Sequence, residues 1–419
     1  MIDLAAGDLV AEAADLEEPC DLLSFYVPGD GFFFEREGAG IVSRGAAATI
    51  HIPPGPGQVA EAARRAAALL GRIRSTGGAA PLIVGALPFD GSAPATLVVP
   101  QVVVVRRPDG PARRIVVGPD RESSTGSFDF GDPISIGAPE PPLLGSPLSV
   151  TPVPGHRSFL DSVAEARKRI SDGDLEKVVL ARMLMVRAEQ PFNRRALLHQ
   201  LRRREAGAYL FAVHGFLGAS PELLVSRFGN QVRAAAIAGT IARPAGDPEA
   251  VARAAQLLLT SAKDRAEHAL VVEAVCTGLE DVCESLDFSP EPTVLDLRNV
   301  AHLATEVTGT LRPPAPNALE LAARLHPTPA VCGTPRDAAL RIIKELEPID
   351  RTLYAGIVGW MDASGDGEWA VALRCAEVQG RIALLFAGAG IVAASDPDAE
   401  LAETDAKFKT MLTALSGTT

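Results

Sequence analysis

Two ionisable side chains stand inside stretches that are otherwise apolar or small: Lys177 in Lys177-Val-Val-Leu-Ala-Arg182, and Glu222 in Ala219-Ser-Pro-Glu222-Leu-Leu224. Each is costly to bury as an ion, so a site that encloses them favours an uncharged amine and an un-ionised carboxyl. Such a pair can take a proton from one point of a substrate and deliver one at another. The same residues also read as a solvated lysine and a solvated glutamate, each opening a strand.

Further along lie groups suited to a hard cation. Lys263-Asp264-Arg265-Ala266-Glu267-His268 places Lys263 with Glu267, and Asp264 with His268, at i,i+4, where surface pairing is the simplest reading. Near the C-terminus Ser395 or Asp396 can cap a helix with Pro397 in its first turn, so Glu400, Glu403 and Lys407 share one face. Magnesium takes carboxylate oxygens, keeps several waters and bridges to anionic substrates, so Glu267 with Glu403 or Glu400 makes a candidate site. No His or Cys cluster has zinc spacing. Arg374, inside the apolar Trp369-Ala-Val-Ala-Leu-Arg374-Cys375, needs a partner, either a substrate carboxylate or an internal glutamate. Phe386-Ala-Gly388-Ala-Gly390-Ile391 leaves backbone N–H groups open to close approach. It lacks the third glycine and the later acidic residue of a dinucleotide fingerprint.

The elements that must position these residues are partly legible. Helical spacing marks 59–75, 159–170, 194–204 and one long stretch from Pro248 to Cys283. Strand patterns mark 82–87, 96–106, 114–117, 209–216 and 222–228. Residues 123–155 are rich in Ser, Gly and Pro and read as a surface crossing between 1–122 and 156–419. A net charge of -12 argues against nucleic acid or an anionic membrane as the main partner. The five cysteines are scattered, never in C-x-x-C spacing, and read as reduced thiols of a cytoplasmic protein. The N-terminus lacks the basic start and apolar core of a secretory signal, and the apolar runs are too short to span a bilayer.

Nine ordered segments from about Gly155 onward resemble the chorismate-utilising enzymes. They are Lys177-Val-Val-Leu-Ala-Arg, Gly218-Ala-Ser-Pro-Glu222-Leu-Leu, Ile237-Ala-Gly-Thr240, Ser261-Ala-Lys-Asp-Arg-Ala-Glu267-His, His302-Leu-Ala-Thr, His326-Pro-Thr-Pro-Ala330-Val-Cys-Gly, Gly356-Ile-Val-Gly-Trp, Gly367-Glu-Trp-Ala-Val-Ala-Leu-Arg374-Cys-Ala and Phe386-Ala-Gly-Ala-Gly. Within the family the text is most similar to siderophore-type isochorismate synthases. Ammonia-using members carry glutamine at the position of Lys177, aminodeoxychorismate synthases a lysine at that of Ala238, and salicylate synthases a threonine at that of Ala330. The resemblance therefore implies water addition. It leaves salicylate synthase as the nearer alternative, and an aminating subunit or a non-catalytic homologue as the distant one.

The resemblance implies an α/β (α+β) fold of two large antiparallel sheets packed as a sandwich with helices outside, in which 1–419 is one chorismate-binding domain. It also implies roles for individual residues. Lys177 would be the general base and Glu222 the general acid, while Glu267, Glu400 and Glu403 would hold Mg2+ against the ring carboxylate. Arg374 and Gly388, with Tyr354, would bind the enolpyruvyl carboxylate. Gly239, Thr240 and Ala330 would line the ring pocket, His302 would lie near the ring carboxylate, and Lys407 would support the carboxylates. A monomer is expected.

Overall fold

The computed structural model describes residues 9–16, 20–108, 110–119, 148–244 and 246–417. A 13-stranded sheet and a 10-stranded sheet carry most of the chain, and the one parallel pairing recorded among the described residues joins Leu9–Asp15 to Arg74–Thr76. The strand Lys177–Ala188 lies inside the larger sheet, between Leu148–Val153 and Ile382–Ile391. Its almost unbroken apolar sequence follows from burial on both faces. Val178 and Leu180 belong to the core shared with the smaller sheet. Leu184 and Val186 belong to a second core with Leu197, Leu198 and Leu201 of the Arg194–Arg204 helix and Phe408 and Met411 of the Pro397–Ser416 helix.

Residues 9–119 supply strands to both sheets. Ala48–Ile52, Leu82–Leu87 and Ala95–Val99 join the smaller one, and Gly31–Arg36, Ala39–Arg44 and Val102–Arg106 the larger. Most of the Pro-rich crossing, 123–147, lies outside the described residues. Its last part is not a loop: Leu148–Val153 pairs antiparallel with Lys177–Ala188.

Other differences from the sequence reading have local causes. The 96–106 run is two strands in different sheets, broken at Pro100, which has no N–H for a ladder. The first helix is Gln58–Leu70, and Arg74–Thr76 beyond Gly71 becomes a strand. The Pro248–Cys283 stretch is two helices, Pro248–Thr260 and Ala262–Leu279. Ser261 leaves helical geometry at φ -68°, ψ 113° and caps Asp264 N. Cys283 opens a strand instead. Tyr209–Val213 and Phe216–Ser220 form a hairpin where one strand was expected.

Two of these chain paths matter for chemistry. Phe216–Ser220 is in the larger sheet and Leu223–Phe228 in the smaller, so Pro221 and Glu222 form the switch between them. Gly367–Val371 and Cys375–Gln379 make the reverse switch through Arg374. The switches are tied together by Ala219 N–H to Arg374 O at 3.1 Å and Val371 N–H to Glu222 O at 3.1 Å. Arg374 takes φ 48°, a left-handed conformation rare for a non-glycine residue and held here by its surroundings.

Candidate active site

A cavity with about 60 Å³ of free space opens at this seam, walled by Glu222, Gly239, Thr240, Glu267, His302, Ala330, Tyr354, Arg374, Gly388, Glu403 and Lys407. The sheet switches deliver Glu222 and Arg374, and the Ala262–Leu279 helix delivers Glu267. Glu403 and Lys407 come from the Pro397–Ser416 helix, which packs against Ile382–Ile391.

Glu222 is 2% exposed, and its Oε1 has no hydrogen-bond partner. Burial drives its carboxyl up to about 8, against the opposing pull of Lys177, Arg374 and Lys407. At neutral pH it is a carboxylic acid with a proton to give.

Lys177 departs from the simple expectation. It is fully buried but is not itself a cavity wall, and its Nζ meets Glu267 Oε1 at 2.8 Å as an ion contact rather than an aligned hydrogen bond. Burial alone would lift the Glu267 carboxyl, but Lys177, with Lys407 and Lys263 beyond, draws it below its ordinary range.

The wall around Arg374 is preorganised. His302 is held well below its ordinary range by burial and by the Arg374 and Lys407 charges, so its ring is neutral. Arg374 Nη2 lies 2.9 Å from His302 Nε2 and can only donate, so Nε2 accepts and Nδ1 carries the proton, donated to Gly239 O at 3.2 Å. Thr240 Oγ1 lies 3.1 Å from the same nitrogen. Gly239 sits at a bulge with φ 75°, where a Cβ would press to 3.0 Å on Asp264 Cβ. Lys407 Nζ donates to Gly388 O at 2.8 Å and to Glu403 Oε1 at 2.6 Å. The Tyr354 ring stacks on Phe386 at 5.6 Å, and burial raises its hydroxyl. A Cβ on Gly388 would stand 3.0 Å from that hydroxyl.

Of the three carboxylates expected at a cation, Glu267 and Glu403 reach the cavity. Glu400 does not wall it: it is 3% exposed, its carboxyl raised by burial and then by Glu403, and it holds Lys263 Nζ at 3.3 Å. Among the described residues no ready-made cluster of three His, Cys, Asp or Glu ligands exists. Each of the three carboxylates instead keeps an ammonium at 2.6–3.3 Å: Lys177 at Glu267, Lys407 at Glu403 and Lys263 at Glu400. Anionic oxygens already holding cations, with no soft ligand among them, suit a hard divalent ion that completes its shell with water and substrate.

The helix-surface pairs anticipated around Lys263 are not formed. Lys263 reaches Glu400 and Glu267 turns inward, while Asp264 takes Ser261 and the Thr240 N–H, and His268 takes Thr305. Gly390, read from the sequence only as part of a Gly-x-Gly run open to close approach, leaves room for the buried pair: a Cβ there would lie 2.6 Å from Glu267 Oε1 and 3.0 Å from Lys177 Cε. It stands opposite Val179 in the ladder of the Lys177 strand, a register that residue spacing does not show.

Comparison with known proteins places this geometry. The family model described as "Chorismate binding enzyme" matches residues 141–416. The chain is 39% identical over 405 residues to the isochorismate synthase DhbC of Bacillus subtilis, covering 94% of this chain and 95% of that one. It is 36% identical over 360 residues to the vibriobactin-specific isochorismate synthase of Vibrio cholerae, covering 85% and 84%. The solved structure of MenF, the menaquinone-specific isochorismate synthase of Escherichia coli, superposes with a TM-score of 0.78 at 29% identity, over 97% of this chain and 94% of that one. With its paired sheets and a cavity at their seam, this chain belongs to the chorismate-binding enzyme family.

Proposed function

We propose that the chain is an isochorismate synthase, an isomerase that converts chorismate to isochorismate by adding water at C2 with loss of the C4 hydroxyl. The observation that carries the reading is a single cavity walled by a protonated Glu222, two cationic anchors, Arg374 and Lys407, and Glu267, with Lys177 paired to Glu267 behind that wall. Chorismate brings two carboxylates to such anchors and a hydroxyl that leaves only when protonated.

In this mechanism Arg374, oriented by neutral His302, takes the enolpyruvyl carboxylate beside Gly388 and Tyr354. Gly239, Thr240 and Ala330 bound the ring. Rotation of the Glu267 carboxylate off Nζ, with no side chain at Gly390 in its way, opens Lys177 to the cavity. Lys177, its own proton passed to bulk water on that opening, takes one from the water that bonds to C2 and releases it to solvent after turnover. Glu222 gives its proton to the C4 oxygen, which departs as water while the ring double bonds shift; Glu222 is then reprotonated from solvent. Each proton transfer is worth on the order of 10²- to 10⁴-fold. Magnesium held by Glu267 and Glu403, with Glu400 behind them, would neutralise and orient the ring carboxylate.

Service to a dihydroxybenzoate siderophore pathway is supported by the 38% identity and TM-score of 0.79 to a solved structure described as a "putative 2,3-dihydroxybenzoate-specific isochorismate synthase" from Bacillus anthracis. A cytoplasmic location is supported by five scattered cysteines, none in C-x-x-C spacing, and we expect a monomer. Among the described residues no helix is long and apolar enough to cross a membrane. Purified protein given chorismate and Mg2+ should yield isochorismate, and no fluorescent salicylate without an added lyase. Salicylate formed by the protein alone would move the assignment to a salicylate synthase, and an inert protein would reject it.

A further inference from the structure

We infer that the buried Glu347–Arg351 pair, which does not touch the cavity, is the positioning device that fixes three of its walls relative to one another; the inference rests on the reaction proposed above. Both side chains are almost fully enclosed, at 3% and 5% exposure. Glu347 follows the Arg336–Leu346 helix and returns to the Lys177 strand, where its Oε1 accepts the Ala181 N–H at 2.7 Å. Arg351 donates Nε to Glu347 Oε2 at 2.8 Å, Nη1 to Val331 O at 2.9 Å and Nη2 to Val179 O at 2.8 Å, with Nη2 also on Glu347 Oε1. Its guanidinium lies 4.1 Å over the Phe89 ring, and its own carbonyl accepts the Tyr354 N–H at 2.7 Å.

Val179, Val331 and Tyr354 are all cavity walls, and they come from three separate segments. The fork ties the strand carrying Lys177 to the loop carrying Ala330, and the Arg351 main chain holds Tyr354, the residue beside Gly388, to that junction. The strand and loop share further direct bonds: Val179 N–H donates to Cys332 O at 2.8 Å, and Gly333 sits so close that a Cβ would meet Lys177 O at 2.2 Å. A shift at this junction moves the Lys177 backbone itself. Lysine would restore the charge but only part of the fork, because one ammonium does not present several donors in a plane. A displacement of about 1 Å at a reacting group can lower turnover about 10²-fold.

The test is steady-state kinetics on Glu347→Gln, Arg351→Lys and Arg351→Met, normalised to folded protein, with hydrogen exchange of the same proteins. Expected are a kcat lowered about 10- to 100-fold in Glu347→Gln and Arg351→Met with KM for chorismate within about threefold, and partial recovery in Arg351→Lys. Exchange should quicken in peptides spanning 177–184 and 328–334 and not elsewhere in the larger sheet. A kcat per folded molecule within about twofold of wild type, whatever the melting temperature, would reduce the pair to a fold-holding role, as would exchange that quickens everywhere or nowhere. Should Arg351→Met not fold, the isosteric Glu347→Gln carries the test alone. The exchange arm needs no substrate, so wild-type protein inert toward chorismate would reject the proposed function and leave the clamp to be judged on exchange.

Discussion

Replacing Glu222 by glutamine separates the proton this residue holds from the shape it fills. In the folded protein burial lifts its carboxyl from 4.5 to about 8. Between those values the folded chain keeps the proton while the unfolded chain releases it, so unfolding is increasingly favoured as pH rises. The loss is about 1.4 kcal/mol per pH unit, reaching roughly 3 kcal/mol at pH 7 and roughly 5 kcal/mol above pH 8. Glutamine has no proton to lose, so the Glu222→Gln protein lacks this slope. Its stability difference from wild type should grow in its favour from pH 5 to pH 8 and then level. Denaturant unfolding of both proteins in metal-free buffer at pH 5.5, 6.5, 7.5 and 8.5 reads the difference directly. Turnover should fall about 10²- to 10⁴-fold in the variant, and wild-type kcat/KM should decline as pH rises through about 8. Parallel stability profiles for the two proteins would refute the buried, protonated Glu222, and an active glutamine variant would refute its role as acid.

Other perturbations probe the remaining walls. Lys177→Ala should lower turnover by at least about 10²-fold with chorismate binding retained, measured by kinetics and calorimetric titration. Gly390→Ala drives a methyl into Glu267 Oε1, 2.6 Å away, and should reduce kcat while circular dichroism stays native. Glu403→Ala leaves Lys407 bonded to Gly388 O alone and removes a carboxylate from the cavity; titration calorimetry should show weaker Mg2+ binding, and half-maximal activity should need more of the ion.

The parts of the site legible in the sequence were those where a residue type clashes with its surroundings. Lys177 and Glu222 stand out because ions are rare in apolar runs, and Glu403 and Lys407 because i,i+4 spacing puts them on one helical face. Residue spacing does not say which partner a charged group takes. Glu400, one turn before Glu403, turns to Lys263 of another helix, and Glu267 turns to Lys177 from a strand 90 residues upstream rather than to its helical neighbour. Nor does alternation say which sheet a strand joins. The 96–106 run reads as one element although Pro100 passes it between sheets, and the switches at Glu222 and Arg374 are equally silent. The break at Ser261 was available in principle, since Ser261 with Asp264 three residues on is a capping pattern. Arg351 carried no signal, because its meaning lies in two carbonyls from distant segments.

The central claim is that Glu222 discharges the C4 oxygen while a water activated by Lys177 supplies the oxygen at C2. It is tested most directly by running the reaction with chorismate and Mg2+ in water enriched in oxygen-18 and weighing the product. Isochorismate carrying one heavy oxygen at C2 from the first turnovers, with no such product from Lys177→Ala, is the predicted result. Isochorismate without solvent oxygen would mean that the original hydroxyl migrates and that the two residues do not act as base and acid across the ring.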